Sequence, residues 1–333
     1  MVRTFVIAAL VVALTMGAGL LWFAHWRSAP IAFSAETTYD LAPGTATQRV
    51  IDQLERQLQP SSSCFSLCFR LLIEMERAGA RLQSGEYLVQ EGITPDELLA
   101  QLTAGDVITY MVRIPEGITV RELLLKLRAE TNLMPLEEHI DDRNLATALG
   151  LQSSFAEGYF LPDTYQFKKG DLAADVLRRA HRAMVEEINL VWASRGEVEV
   201  DSPEELLILA SIIEKETGDP ADRGLISQVF HRRLALDMRL QTDPTVIFAL
   251  GATFDGNIRR ADLRIDSPYN TYRVKGLPPT PIALPSKAAL RAAAHPDDGE
   301  YLYFVARGDG TSQFSKTLDE HNQAVRRYQL QAK

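Results

Sequence analysis

The sequence predicts an α+β protein: an N-terminal transmembrane helix, a small βα-repeat domain and a larger mixed α/β domain built around a buried helix. Three observations predict this. Phe5–Ala24 is an uncharged apolar run of 20 residues, two twelve-residue segments near residues 91 and 116 nearly coincide, and the helix expected after Asp201 is apolar on almost every face. The expected divisions are 1–27 for a cytoplasmic tip and anchor, 28–157 for the repeat domain with its linker, and 158–333 for the larger domain. A length of 333 residues suits about two domains. With 46% hydrophobic and 24% charged residues the chain can bury a core. A net charge of −9 without any basic block argues against a nucleic-acid partner.

The first element is the apolar run, FVIAALVVALTMGAGLLWFA. At about 1.5 Å per residue it spans roughly 30 Å, the hydrocarbon thickness of a bilayer. Trp22 and Trp26 stand at its downstream end, where amphipathic rings favour the headgroup layer. The alternative is a cleaved signal peptide, but bulky Trp22, Phe23 and Trp26 occupy the place of a small-residue cleavage site. A single early span followed by the remaining chain most simply leaves that chain outside the cytoplasm, anchored to the inner membrane through residues 5–24. Next come Cys64 and Cys68. At i, i+4 on one helix face they read as small buried hydrophobes rather than a disulfide, because helical side-chain directions rarely suit the bond.

The repeat follows. Residues 91–102 read EGITPDELLAQL and residues 116–127 read EGITVRELLLKL, identical at eight of twelve positions. Thr94 and Thr119 are expected helix N-caps, with Glu97 and Glu122 three residues on to complete a capping box. Leu98, Leu99 and Leu102 form an apolar stripe, matched by Leu123, Leu124 and Leu127. Strand-like stretches precede the copies at Glu86–Gln90 and Ile108–Ile114, and a weaker third copy runs from Gly44 to Leu54. Strand and capped helix in this order resemble small LysM-like modules, a resemblance that implies binding of GlcNAc-containing glycan. A purely structural repeat that packs and spaces fits better, since only Tyr87 and Tyr110 supply aromatic rings near the copies.

Beyond Gly158 the texture changes. GYFLPDTYQF reads as an aromatic loop closing on the core, and Asp171–Trp192 as an amphipathic helix. The segment DSPEELLILASIIEKETG then opens with Ser202 as cap, Glu205 three on, and Pro203 at the first helical position. Its apolar residues face nearly every direction, which marks a helix buried all round, and Gly218 stops it. Glu214 hangs from the last turns over Ala210 and Leu207. Desolvation and the negative helix end are both expected to favour its protonated form, as a general acid on a glycosidic oxygen requires. Glu216 lies about 200° further round and is expected to pair with Arg223, Arg232 or Arg233. A carboxylate in such a place is more often structural than catalytic.

The run LASIIEKETG, followed in order by VFHRRL, MRLQTDPTVIFALG, SPYNTY, GLPPTPIALPS, AAAHP and YLYFVARGDGTSQFSKTLDEHN, resembles the MltG (YceG-like) endolytic murein transglycosylases. The likeness covers essentially the whole chain, EGYFLPDTY included. It implies that Glu214 is the catalytic acid and that nascent glycan strands are cut between MurNAc and GlcNAc, leaving 1,6-anhydro-MurNAc ends in the periplasm. It also implies association with peptidoglycan synthases. One acid suffices for that chemistry, because the sugar's own C6 hydroxyl replaces water as nucleophile. A muramidase-type hydrolase would need a second carboxylate, for which Asp243 is the nearest candidate. A glycan-binding scaffold without catalysis is the third possibility.

The remaining candidates carry alternatives of their own. In Gln241-Thr242-Asp243-Pro244, Thr242 or Asp243 reads as the cap of a helix over Thr245–Leu250, with sugar contact by Gln241 or Asp243 as the alternative. Tyr269, Asn270 and Tyr272 either contact sugar or form an Asn turn pinned by aromatics. GLPPTP is an extended wall. Tyr301–Ala306 and Thr311–Phe314 form a hairpin around Gly308-Asp309-Gly310. The six histidines show no metal-ligand spacing, and no nucleotide fingerprint occurs, so neither metal nor cofactor is expected.

Overall fold

The structure, a computed structural model, describes residues 2–33 and 35–330. Two compact units divide the chain. One comprises the residues up to Tyr110 together with Gln166–Asp171, the other Met111–Tyr165 and the residues from Leu172 onward. The boundary expected at 157/158 therefore lies inside the second unit, and the two EGIT copies fall in different units.

The first unit begins with α1 (Val2–Ser28). Its stretch Arg3–Ser28 has a mean hydropathy of 2.3 and is long and apolar enough to cross a membrane. Trp22 is exposed, as an interfacial ring would be. Trp26 is not: it stacks on Phe23 at 5.7 Å and meets Phe65 edge-on, so it belongs to the core of this unit. Strand β1 (Thr37–Leu41) is followed by α2 (Thr47–Leu58) and α3 (Phe65–Met75). Antiparallel to β1 runs β2 (Gly85–Val89), with Tyr39 opposite Tyr87, and α4 (Pro95–Ala104) completes the layer. The stripe Val50, Ile51 and Leu54 of α2 and the stripe Leu98, Leu99 and Leu102 of α4 meet in one core with Phe65, Phe69 and Leu72. Cys64 and Cys68 are free thiols, Cys68 is buried, and burial pushes its thiol up to about 12. Tyr87 is wholly buried, which removes it as a sugar platform.

Strands β3 (Thr109–Arg113) and β4 (Thr164–Lys168) pair with each other, and the division between units falls within both. The stretch expected as a loop, GYFLPDTYQF, thus ends in a strand. The second unit continues with α5 (Val120–Arg128) and the short α6 (Leu145–Leu149). After β4 come the long α7 (Ala173–Ala193), α8 (Pro203–Glu216), α9 (Arg223–Ala235) and α10 (Asp243–Leu250). It closes with α11 (Lys287–Ala294), β5 (Tyr303–Ala306), β6 (Ser312–Ser315) and α12 (Leu318–Val325). Helix α8 is the spine: Leu206, Leu207, Leu209, Ala210, Ile212 and Ile213 have no exposed surface. Around it pack α7 through Met184, Ile188 and Val191, α9 through Ile226 and Phe230, and α11 through Ala289, Leu290 and Ala293. In the hairpin, Tyr303 pairs with Ser315 and Ala306 with Ser312. Gly308 and Gly310 take the positive φ values its turn requires, 89° and 95°.

Both EGIT copies form the capping box in full: the Thr94 and Thr119 hydroxyls accept from the N–H groups of Glu97 and Glu122, whose carboxylates return the bond. Thr94→Ala is expected to lower the unfolding free energy of the first unit by about 1 kcal/mol, read as a shifted urea midpoint with unchanged slope.

Candidate active site

Helix α8 delivers two carboxyl groups at its last turn, and the structure separates their surroundings. Glu214 lies at the rim of the apolar spine and is only partly buried. Its Oε2 accepts the Ser286 backbone N–H at 3.0 Å and the Ser286 hydroxyl at 2.6 Å. No hydrogen bond to Oε1 occurs among the described residues. The enclosed, water-free carboxyl expected from the sequence is therefore not found. The apolar run ends at Ile213, one residue short, and a built pair of donors stands in place of a greasy pocket.

Ser286 is fixed by its own position. It is the N-cap of α11, where its hydroxyl accepts the Ala289 N–H at 3.1 Å. The stretch before it bends at Ile282 and Ala283 and is tied to α8. Ile282 donates its N–H to the buried Ser211 hydroxyl at 3.0 Å, one helical turn before Glu214. Leu284 exchanges backbone bonds with Gly117 and Ile118, both at 2.8 Å. Lys215 reaches the Gly117 carbonyl at 3.0 Å, and a Cβ on Gly117 would lie 3.8 Å from Glu214 Cγ. The second EGIT copy therefore borders the acid directly.

Behind this stretch sits Glu157, both of whose oxygens accept the Val120 N–H at 3.1 Å, at the start of α5. Burial pushes its carboxyl up to about 8 against those bonds. Next to it Gly158 holds φ +83°, and a Cβ there would meet Pro281 at 2.6 Å, so this loop packs on the wall that leads to Ser286. Of GLPPTP, Pro281 makes this contact.

Glu216 makes no ion pair with Arg223, Arg232 or Arg233, contrary to expectation. Its Oε1 accepts the hydroxyl of Thr242, and burial, with Asp243 nearby, raises its carboxyl to about 7. Arg233 is spent on the carbonyls of Leu302 and Leu240 and acts on Glu216 only through its field. Thr242 is the N-cap of α10 by position, but its hydroxyl serves Glu216, and the helix starts two residues earlier than expected.

The other sequence candidates separate as follows. Gln241 is exposed at positive φ, 50°. Asp243 is exposed and accepts the Tyr272 hydroxyl at 2.6 Å, which together with burial raises that phenol. Tyr269 shares a hydrogen bond with Thr280 and packs on Phe248. Asn270 is wholly buried: its amide donates to the carbonyls of Leu263 and Ile265 and its oxygen accepts the Tyr272 N–H. It is the turn-former of the two readings and has no group left for a sugar. Ser286 and Glu157 escaped the sequence reading. A Ser after Pro285, followed by Lys-Ala-Ala-Leu, is a legible cap, but its contact with a residue 72 positions away is not. Among the described residues no cluster of three or more His, Cys, Asp or Glu is arranged to hold a metal.

The model of the YceG-like family matches residues 39–327. The chain belongs to the YceG-like family. Its relatives include the endolytic murein transglycosylase of Bacillus subtilis (strain 168), 34% identical over 272 residues, which cover 76% of this chain and 74% of that protein. The endolytic murein transglycosylase of Streptococcus pneumoniae (strain ATCC BAA-255 / R6) is 28% identical over 278 residues, 73% of this chain but 50% of its own length. The crystal structure of a YceG-like protein from Listeria monocytogenes aligns with TM-score 0.55 and 30% identity, over 87% of this chain and 99% of that one.

In this YceG-like chain Glu157 and Glu216 both bind their proton more tightly folded than unfolded, where the ordinary value is 4.5. Their stabilisation is present below that value and is lost as pH rises through about 7 and about 8. Stability of the second unit should therefore fall between pH 5 and pH 9. Glu157→Gln should flatten the fall and stabilise on the order of 1–3 kcal/mol at high pH, measured by denaturant unfolding across that range.

Proposed function

We propose that this chain is a membrane-anchored endolytic peptidoglycan lytic transglycosylase, cutting nascent glycan between MurNAc and GlcNAc. The observation that carries the reading is the Glu214 carboxyl at the end of a buried helix, held by one oxygen on the serine that caps α11. Rigid elements place such a group more precisely than a free loop. In the proposed reaction protonated Glu214 gives its proton to the glycosidic oxygen as the C1–O bond breaks. The C6 hydroxyl of the same MurNAc attacks C1, and the Glu214 carboxylate takes the hydroxyl proton. The product is a 1,6-anhydro-MurNAc end, and Glu214 finishes protonated. Ser286 keeps one oxygen occupied, so the other faces the sugar in both steps.

The names of the relatives and the family match support this activity. Helix α1, by length and composition, supports a single-pass inner-membrane anchor with the following domains in the periplasm. The capped βα repeats support a LysM-like glycan-binding role for the first half. Its cleft of about 760 Å³, edged by Gln90, Glu97 and Gln101, offers amide and carboxyl groups suited to sugar hydroxyls. Tyr272 and Asp243 are the sugar contacts this reading retains, and association with peptidoglycan synthases follows from the resemblance. The competing hydrolase reading rests on Asp243, whose exposed carboxylate would have to activate water.

Digestion of purified glycan strands should yield anhydro-MurNAc ends by mass spectrometry, and Glu214→Gln should lower their rate of release about 10²–10⁴-fold. Unchanged release by that variant overturns the assignment. Ser286→Ala removes one of two donors to Glu214 and should cost about tenfold or more in kcat with little change in KM, whereas Ser286→Thr should retain most of the rate.

A further inference from the structure

Next to Glu214 the second unit opens a cleft of about 1000 Å³ between α7, α9 and α11. Two of its lining residues adjoin the acid's own contacts: Lys287 follows Ser286, and Glu116 precedes Gly117. The lining is charged with both signs. Glu187, nearly buried on α7, is paired with Lys287 at 3.1 Å and Arg291 at 3.6 Å, which leaves one positive charge in excess there. Arg223, Glu116 and Asp297 form no ion pair among the described residues. The Arg223 side chain lines the cleft, and its Nε, sealed beneath the surface, has no hydrogen-bond partner.

This lining selects a class of ligand. A pyrophosphate or another polyanion is disfavoured by the carboxylates of Glu116, Asp163 and Asp297. A neutral sugar could use these groups only as hydrogen-bond partners and would leave their charges uncompensated. A short peptide with both carboxylate and ammonium groups matches it, and murein strands carry such a peptide on the lactyl group of MurNAc. We propose that this cleft receives the stem peptide of a MurNAc beside the bond that Glu214 cuts, with Arg223 taking a peptide carboxylate. The proposal rests on the transglycosylase reading and deepens it: the enzyme discriminates peptide-bearing strands from bare ones. The planar guanidinium suits a carboxylate in a two-point bond.

The test is made on full-length protein in detergent, with Glu214→Gln as a background that binds without cutting. A peptide-bearing glycan fragment should bind about tenfold more tightly than the same fragment stripped of peptide by an amidase, the worth of one charge-assisted pair. Adding Arg223→Gln should bring that ratio near one, and Arg223→Lys, which keeps the charge but loses the fork, should leave an intermediate ratio. If the first variant melts early, the lysine variant carries the comparison. Equal binding of the two fragments, or a loss that is the same for both, overturns the proposal. Absence of anhydro ends from the wild-type digest would instead sink the transglycosylase reading, while the binding ratio would still report on the cleft.

Discussion

Two hydrogen bonds from Ser286 to one oxygen of Glu214 set the rest of the site in order. They need α11 to begin where it does, because the same hydroxyl caps that helix. They also need the stretch before Ser286 to lie against α8, and that stretch is tied at Ser211 and again at Gly117 and Ile118. The acid thus stands at a junction of three elements far apart in sequence, each held by backbone bonds. A change in any one would move the carboxyl relative to its donors.

The burial of α8 supplies the stiffness. Six of its apolar side chains expose nothing, and each large aliphatic side chain fully buried contributes about 1.5–3 kcal/mol relative to an exposed one. A spine so fixed can present carboxyls on different sides to different surroundings. Glu214 faces donors and an open side. Glu216, two residues on, is drawn into the protein and held to Thr242, so that it secures the start of α10, where Asp243 is the first residue. Neighbouring acids of identical chemistry are in this way given unlike tasks by helical rotation alone.

Much of this was legible in the sequence, and the legible part is local. The capping boxes at Thr94 and Thr119, the apolar stripes of α2, α4 and α5, the length of α1 and the all-round burial of α8 each follow from spacing within one or two helical turns. The hidden part depends on meetings between distant segments. Nothing near Glu214 discloses Ser286, and Glu216 found a threonine hydroxyl rather than an arginine because the arginines of α9 are aimed elsewhere. The expected desolvation of Glu214 failed by a single residue of helix length, a distinction periodicity does not resolve. Trp26 joined a core because α1 continues past its apolar run to Ser28 and packs there. The split of the EGIT copies between two units was equally invisible, since each copy satisfies its own caps regardless of which core it joins.

The central claim is that a single carboxyl, Glu214, manages both proton transfers while the sugar's own hydroxyl, rather than solvent, attacks the anomeric carbon. Digestion in water enriched in oxygen-18 tests this directly, by weighing the new MurNAc ends before any exchange at C1. The account predicts ends that contain no heavy oxygen and lack the elements of water. Heavy oxygen fixed at C1 of those ends would show that water is the nucleophile, and would contradict it.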